Sequence, residues 1–310
     1  MTVMVCGSLA YDTVMVFDGR FKDHILPDRV HMLSVSFLVP QMRRNYGGCA
    51  GNIAFSLKPL GIASHALATV GDDFDAYETW MRRHGLSLDY VRRIPGTYTA
   101  QAFITTDLDD NQITAFHPGA MQHSGEIEVP TDAGITLGLV GPDSRAAMLK
   151  HAAEFAAAGI PFIFDVGQGL PLFGGAELKT FIDQSTWMIV NDYEAELVQE
   201  RTGYQPAEIA GRCRAYIVTR GAAGSTVYAD GKTIEIPAVP AERVVDPTGC
   251  GDAYRAGIIY GLERGLDWPT TGRVASLLGS IKIAYHGTQS HGAALETIGE
   301  RFRAAFGYAL

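Results

Sequence analysis

An α/β fold, with a largely parallel central sheet flanked by helices and a small β-sheet lid, is the architecture this sequence predicts. Apolar strand-like runs alternate with helical patterns through most of the 310 residues, the signature of a parallel sheet. Two β-rich excursions carry no helix of their own and break that rhythm. No repeat at a fixed period and no low-complexity tract competes with this reading.

Taken in order, a first strand covers about Val3 to Leu9. The first excursion follows, with strands expected at Val14–Phe17 and Met32–Phe37 around a polar, Pro-containing stretch. Residues 47–60 read as a loop feeding a helix, then a strand at His65–Val70 and a helix near Asp75–His84. The second excursion, Thr99–Thr106 and Gln112–His117, flanks the turn Asp107-Leu108-Asp109-Asp110-Asn111 and reads as a hairpin. From Ile135 the βα rhythm is steady. It gives strands at Ile135–Val140, Phe162–Val166, Trp187–Val190 and Ala215–Thr219, with helices at Arg145–Ala158 and Gly175–Gln184. A hairpin then turns at Asp230-Gly231, with arms at Thr226–Tyr228 and Thr233–Ile236. A strand at Arg243–Val245 leads through a Gly-rich loop into a helix at Asp252–Gly265, and helices at Thr271–Tyr285 and Gly292–Ala305 finish the chain. The expected division is a large α/β domain of residues 1–12, 45–96 and 119–310, with a lid of residues 13–44 and 97–118.

Composition narrows the function classes. Lys+Arg number 25 and Asp+Glu 34, a net charge of −9, which argues against coating nucleic acid or an anionic membrane. No apolar run reaches the roughly 18 residues that span a bilayer. The start, Met1-Thr2-Val3-Met4-Val5-Cys6-Gly7, lacks a basic n-region and reads as a strand rather than a signal peptide. Four widely spaced cysteines without a CxxC pair fit a reducing cytoplasm better than a zinc site or disulfide framework. The expected partners are small molecules, in the cytoplasm; the oligomeric state is not legible. Glycine is frequent at 35 residues, often in short clusters, which points to loops that bring backbone close to a ligand.

Three segments carry chemistry. In Asp246-Pro247-Thr248-Gly249-Cys250-Gly251-Asp252 a strand runs into a Gly-rich turn and a helix start. Amides of Gly249, Cys250 and Gly251 form a positive concavity suited to phosphoryl oxygens, and Asp252 is either a first-turn helix charge or a base beside that nest. A thiol at this place is either a reactive one, its pKa lowered by the helix start, or a small buried filler pointing away from solvent; Cys250 is a candidate for both. The second segment is Tyr46-Gly47-Gly48-Cys49-Ala50-Gly51-Asn52, and the third is Asn191-Asp192-Tyr193-Glu194; taken alone, each is an ordinary turn or helix cap.

Together these segments resemble the PfkB carbohydrate kinase family, also called ribokinase-like. The family's C-terminal signature, Asp-Thr-x-Gly/Ala-Ala-Gly-Asp, matches 246–252, with Pro247 in place of Thr and Cys250 in place of Ala. The resemblance implies that Asp252 is the catalytic base and that Gly249, Cys250 and Gly251 form the anion hole. Its Gly-Gly-x-x-x-Asn signature implies substrate contacts from Gly48 and Asn52, and Asp12 matches the acid that holds two vicinal hydroxyls. Its Asn-x-x-Glu motif implies that Asn191 serves the nucleotide and that Glu194 holds Mg²⁺ through water. Thr219, Arg220, Gly221 and Gly224 match the strand-end region facing ATP. Asp246, Thr248 and Gly287 match the ligands of a monovalent cation, taken as K⁺. The implied activity is transfer of the ATP γ-phosphoryl group to a primary hydroxyl of a nucleoside or a sugar. The Asn45–Ala54 and Asp165–Gly169 segments look more like the family's bacterial nucleoside and adenosine kinases than its ribokinases. Lid aromatics Phe17, Phe37, Phe103 and Phe116 either stack on a purine or pack the lid's own sheet. A sugar kinase is the alternative, and a non-catalytic binding protein on the same fold is the alternative of a different class, one that would not need Asp252. Gly231-Lys232-Thr233 is not a P-loop, because Thr226 stands where a Gly is required; Gly249-x-Gly251 is not a dinucleotide fingerprint, because Tyr254 stands at the third Gly.

Overall fold

The computed structural model describes residues 2–25, 34–109 and 111–310. Among these, nine strands form one sheet in the order β13-β12-β11-β10-β9-β8-β1-β4-β5. They are β1 (Thr2–Cys6), β4 (Ala63–Val70), β5 (Val91–Arg93), β8 (Leu137–Val140), β9 (Phe162–Asp165), β10 (Trp187–Asn191), β11 (Ala215–Thr219), β12 (Ser225–Ala229) and β13 (Lys232–Ile236). Strands β5 to β11 in that order run parallel, and β12 and β13 add an antiparallel edge.

Why these strands read as unbroken apolar runs follows from two cores. Val3, Val5, Leu139, Ile163, Ile189 and Ile217 belong to one buried cluster. Their alternates Met4, Cys6, Val140, Phe162, Phe164, Met188 and Val190 belong to another. Each strand is thus covered on both faces, as parallel sheets require. The covering helices are α1 (Cys49–Leu57), α2 (Asp75–Arg83), α3 (Arg145–Ala158), α4 (Gly175–Gln184), α5 (Asp192–Thr202), α6 (Pro206–Arg212), α7 (Cys250–Glu263), α8 (Trp268–Lys282) and α9 (Leu295–Phe306). Helices α7 and α8 pack closely because Gly257 carries no side chain; a Cβ there would lie 2.7 Å from the backbone nitrogen of Ala275. No helix among the described residues is long and apolar enough to cross a membrane.

The two β-rich excursions join in a second sheet, β3-β2-β6-β7, made of β2 (Ala10–Val16), β3 (Gln41–Gly47), β6 (Ala100–Thr106) and β7 (Gln112–His117). Here the structure departs from the sequence reading in several places. The strand expected at Met32–Phe37 does not form: Met32 and Leu33 lie outside the described residues, as does Asp110 of the hairpin turn, and Ser34–Phe37 are not in a strand. The pairing is made instead by the charged run Gln41–Gly47, whose exposed outer side chains hid its strand character. β2 begins at Ala10, so Asp12 stands on this sheet rather than at the end of the first strand. Arg243–Val245 is not a strand either, since the amides of Val245 and Asp246 both donate to the Ile283 carbonyl at the end of α8 (2.9 and 3.1 Å). β5 and α6 were not anticipated; both are short, and β5 is a charged edge strand.

Candidate active site

The carboxyl ends of β1, β9, β10 and β11 all open toward one edge of the large sheet, where ligands bind in open α/β folds. Two helices start there from glycines. Gly48 precedes α1 with φ 85° and ψ 138°, a region that only glycine enters without strain. A Cβ at 48 would also meet the Ser8 carbonyl oxygen and lie 2.7 Å from the Ala10 nitrogen. Gly249 precedes α7 with φ 80°. Its Cβ would lie 3.0 Å from the Thr288 methyl group.

Around these starts the far-apart motifs meet. Asn52, buried in the first turn of α1, donates from Nδ2 to Asp252 Oδ2 at 2.8 Å, across 200 residues of chain. Its Oδ1 accepts from Gln289 Nε2 at 3.1 Å, and Gln289 in turn accepts from Trp80 Nε1 at 3.1 Å. Asn52 therefore reaches the expected base directly, and Gln289 fixes which way its amide points. Burial pushes the Asp252 carboxyl up to about 6, against the opposing pull of Arg255 and the Asn52 hydrogen bond. Asp12 on β2 is likewise pushed up to about 6, first by burial and then by the negative charges of Asp252 and Asp246. Two buried carboxyls pushed well above their ordinary range, one of them by the charge of the other, are a common mark of functional sites.

One helical turn after Asp252, the buried Arg255 pairs with Asp165 at the end of β9; its Nη2 donates to Asp165 Oδ1 at 2.6 Å, and Nε also contacts this carboxylate. Glu194 is buried close enough for Asp165 to raise its carboxyl, after burial itself. Asp165, Asp252 and Glu194 all act on this one guanidinium, yet among the described residues no three acidic, His or Cys side chains converge closely enough to hold a metal ion directly. Mg²⁺, a hard cation that keeps much of its water, would fit here only through that water. Asn191 and Glu194 are also closed on each other: Glu194 N donates to Asn191 Oδ1 and Asn191 N to Glu194 Oε2, both at 2.8 Å. The cap and the family motif are the same two residues.

Thr219, Gly221 and Gly224 lie at the end of β11 and in the turn that follows, with Thr219 in register beside Asn191. Arg220 is turned onto Glu235 of β13, so a phosphate contact from it requires breaking that ion pair.

The anion nest differs from the expectation in one member. The Cys250 amide donates to the Pro247 carbonyl at 3.1 Å, whereas the amides of Gly249 and Gly251 have no acceptor among the described residues. The Cys250 thiol is also not activated. Burial pushes it up to about 11, with Lys282 opposing and Asp246 and Asp252 adding to the rise. Burial outweighs the helix start, which favours the reading of Cys250 as a small filler over that of an activated thiol.

The residues expected to hold K⁺ are bonded to one another. Asp246 Oδ1 accepts from the Thr248 amide at 3.0 Å and Oδ2 from the Gly287 amide at 2.9 Å. Burial acts to raise Asp246, and these bonds outweigh it, so the carboxyl is held below its ordinary value. Lys282 occupies the same corner, and burial lowers its pKa while Asp246 works the other way.

The lid supplies one further face. Register places Asn45, Asp12, Ala102 and Phe116 in one row across its four strands, so all four share a face. Phe103 sits on the opposite face, and Phe17 and Phe37 pack on each other and on Phe21. Of the two lid phenylalanines that stand in strand register, Phe116 shares the face of Asp12, and it is half exposed (51%).

Arg255 has no role in the sequence reading, and Lys282 and Gln289 have none of their own: they lie in the Ile281–His291 stretch, matched as a whole to an adenine wall and part of the monovalent-cation loop. A charged residue inside each of the apolar helices α7 and α8 was the available signal for the first two. Gln289 gave none.

Comparison with known proteins identifies the family. The model of the pfkB family of carbohydrate kinases matches residues 9–294. A nucleoside kinase of Methanocaldococcus jannaschii is 32% identical over 260 residues, 83% of this chain and 85% of that protein. The structure of Burkholderia thailandensis nucleoside kinase in complex with inosine superposes with a TM-score of 0.91 at 52% identity, covering 99% of both chains. The same enzyme with ADP and inosine gives 0.88 at 54% identity, over 99% of this chain and 97% of that one.

Proposed function

Since this chain belongs to the pfkB carbohydrate kinase family, phosphotransferases with a hydroxyl acceptor, we propose that it moves the γ-phosphoryl group of ATP to the 5′-hydroxyl of a ribonucleoside, inosine among them. The observation that carries this reading is the meeting of the far-apart motifs at one place: Asn52 in the first turn of α1 donates to Asp252 at the start of α7, and the negative charge of Asp252 reaches Asp12 on the lid. The inosine complexes of a relative 52% identical to this chain support the choice of acceptor.

In this reading Asp12 accepts hydrogen bonds from the 2′ and 3′ hydroxyls, and Phe116, one register row with it, gives the base an aromatic surface. The 5′-hydroxyl then lies toward Asp252. Asp252 takes its proton as the oxygen bonds to the γ-phosphorus and the bond to the β–γ bridging oxygen breaks, releasing ADP. Asn52, held by Gln289, orients the Asp252 carboxylate. The amides of Gly249 and Gly251, at the positive end of α7, hold the transferring phosphoryl oxygens. Arg255 supplies fixed positive charge beneath them, kept in place by Asp165. Mg²⁺ would supply neutralisation of the phosphate charge, and Glu194 is the residue that would hold it, through water. Thr219, Gly221 and Gly224 bound the nucleotide.

The test is ADP release with a panel of nucleosides and free sugars. Inosine and related ribonucleosides are expected as substrates. A site built to bond a hydroxyl rejects the analogue lacking it by up to about 10⁴-fold, so 2′-deoxyinosine is expected to have a far lower kcat/KM. Turnover with ribose or fructose and none with nucleosides overturns the reading in favour of a sugar kinase. Equal kcat/KM for the ribo and deoxy forms removes the role of Asp12.

A further inference from the structure

Lys282, the last residue of α8, is fully buried (0% exposed). Its Nζ donates to the backbone carbonyl of Asp246 at 2.7 Å and to that of Tyr285 at 3.3 Å. These carbonyls belong to the two segments matched to a monovalent-cation loop, Asp246–Thr248 and the stretch leading to Gly287. The Asp246 carboxylate in the same corner is spanned by the Thr248 and Gly287 amides. Backbone carbonyls converging on a positive charge, with a carboxylate beside them, form the kind of oxygen cage that holds K⁺ elsewhere. Here the charge comes on a side chain.

We infer that Lys282 is a built-in substitute for the monovalent cation: its ammonium ties the 246–248 segment to the end of α8, and the kinase needs no added K⁺. An ammonium bonded to two carbonyls does the ion's structural task. It links the loop that leads to Gly249 with the segment that leads to Thr288 and Gln289. Thr288 Oγ1 donates to the Tyr46 carbonyl at 2.7 Å, and Gln289 holds Asn52, so this link reaches both glycine helix starts. A free K⁺ at the same carbonyls would meet the ammonium as a like charge. Lys282 is a positioning residue, acting on the site through the loop.

The experiment compares the protein in buffer free of K⁺, Na⁺ and NH₄⁺ with a KCl series, against N-methylglucamine chloride at matched ionic strength. Two readouts are taken: ADP release with inosine, and thermal stability without substrate, which does not depend on the acceptor proposed above. For the unaltered protein both are expected to be the same in the two salts. A coupled cation site typically changes binding or activity by about 5- to 150-fold. In Lys282→Ala, which removes the ammonium and opens the space, turnover and Tm are expected to drop in the cation-free buffer and to recover specifically with KCl. Saturable stimulation of the unaltered protein by KCl, about fivefold or more, overturns the inference, as does a K⁺-specific rise in its Tm. A folded Lys282→Ala protein with unaltered turnover and no response to KCl also overturns it. Should that variant fail to fold, the salt series on the unaltered protein decides alone.

Discussion

The two glycine-started helices look alike in sequence and do different work. At α1 the chain spends the helix start on itself. The Cys49 amide donates to Ser8 Oγ at 3.3 Å and the Ala50 amide to the Ser8 carbonyl at 3.1 Å. Gly48 brings the backbone against β1's following loop, and what projects into the cleft is a side chain, Asn52. At α7 only the Cys250 amide is turned inward, onto Pro247, and the amides of Gly249 and Gly251 remain for a ligand. A Gly-rich turn before a helix is therefore not in itself an anion site. What decides is whether a neighbouring loop supplies acceptors first. Ser8 does so at α1, and nothing comparable approaches α7.

The contrast can be broken most sharply at Asp252. Asp252→Asn is expected to keep the fold and its hydrogen-bonding place beside Asn52, yet to lose at least about 10²-fold in kcat, the scale of a positioned general base. Near-normal turnover in that variant removes α7 from the chemistry. The same carboxylate sets an acid limb. Its pKa is raised to about 6, so it holds a proton below that pH and cannot accept another. Turnover is expected to fall as pH drops through about 6, reaching roughly a tenth of the plateau one unit lower. A rate profile flat down to pH 5 contradicts this. The sign for stability is opposite to the usual carboxylate case: a folded-state pKa raised above the unfolded one favours folding at low pH, and this contribution is lost as pH rises through about 6.

A pair of substitutions separates the two glycines. Gly48→Ala places a Cβ against backbone in a region closed to alanine, and is expected to cost about 1–3 kcal/mol of stability, read as a lower Tm. Gly249→Ala meets the Thr288 side chain, at 3.0 and 3.1 Å, and a left-handed φ, but comes no closer than 3.5 Å to backbone, a cost of about 1 kcal/mol. Its expected signature is the reverse: a modest change in Tm, and a clear loss of kcat as the amide nest shifts. Equal effects on Tm and kcat from both variants would erase the distinction drawn here.

The smallest effect is expected at Cys250. A thiol pushed up to about 11 has little thiolate at neutral pH, so alkylation is expected to be slow and Cys250→Ala to be active. Rapid labelling mapped to Cys250, with protection by nucleotide and nucleoside, would restore the activated thiol that the sequence suggested.

How much was legible depends on how local the cause is. The sequence by itself determined the alternation of strands and helices, because apolar runs buried on both faces and helical periodicity are written within ten or so residues. It also determined the two glycine loops and their flanking Asn52 and Asp252, because positive φ and a free amide demand glycine at fixed offsets. The lid's second strand escaped, because Gln41–Gly47 has solvent on much of its surface and little apolar signal. Only the tertiary structure decided which amides stay free, since the answer lies in Ser8 for one helix and Pro247 for the other. It alone showed that the Cys250 thiol is pushed up rather than down, since burial is not a local property. It decided, too, that Asn52 meets Asp252 across 200 residues and Gln289 across 237. The charge inside α8 was visible in the sequence, but its partners, the carbonyls of Asp246 and Tyr285, became partners only when the end of α8 was folded against the loop that starts α7.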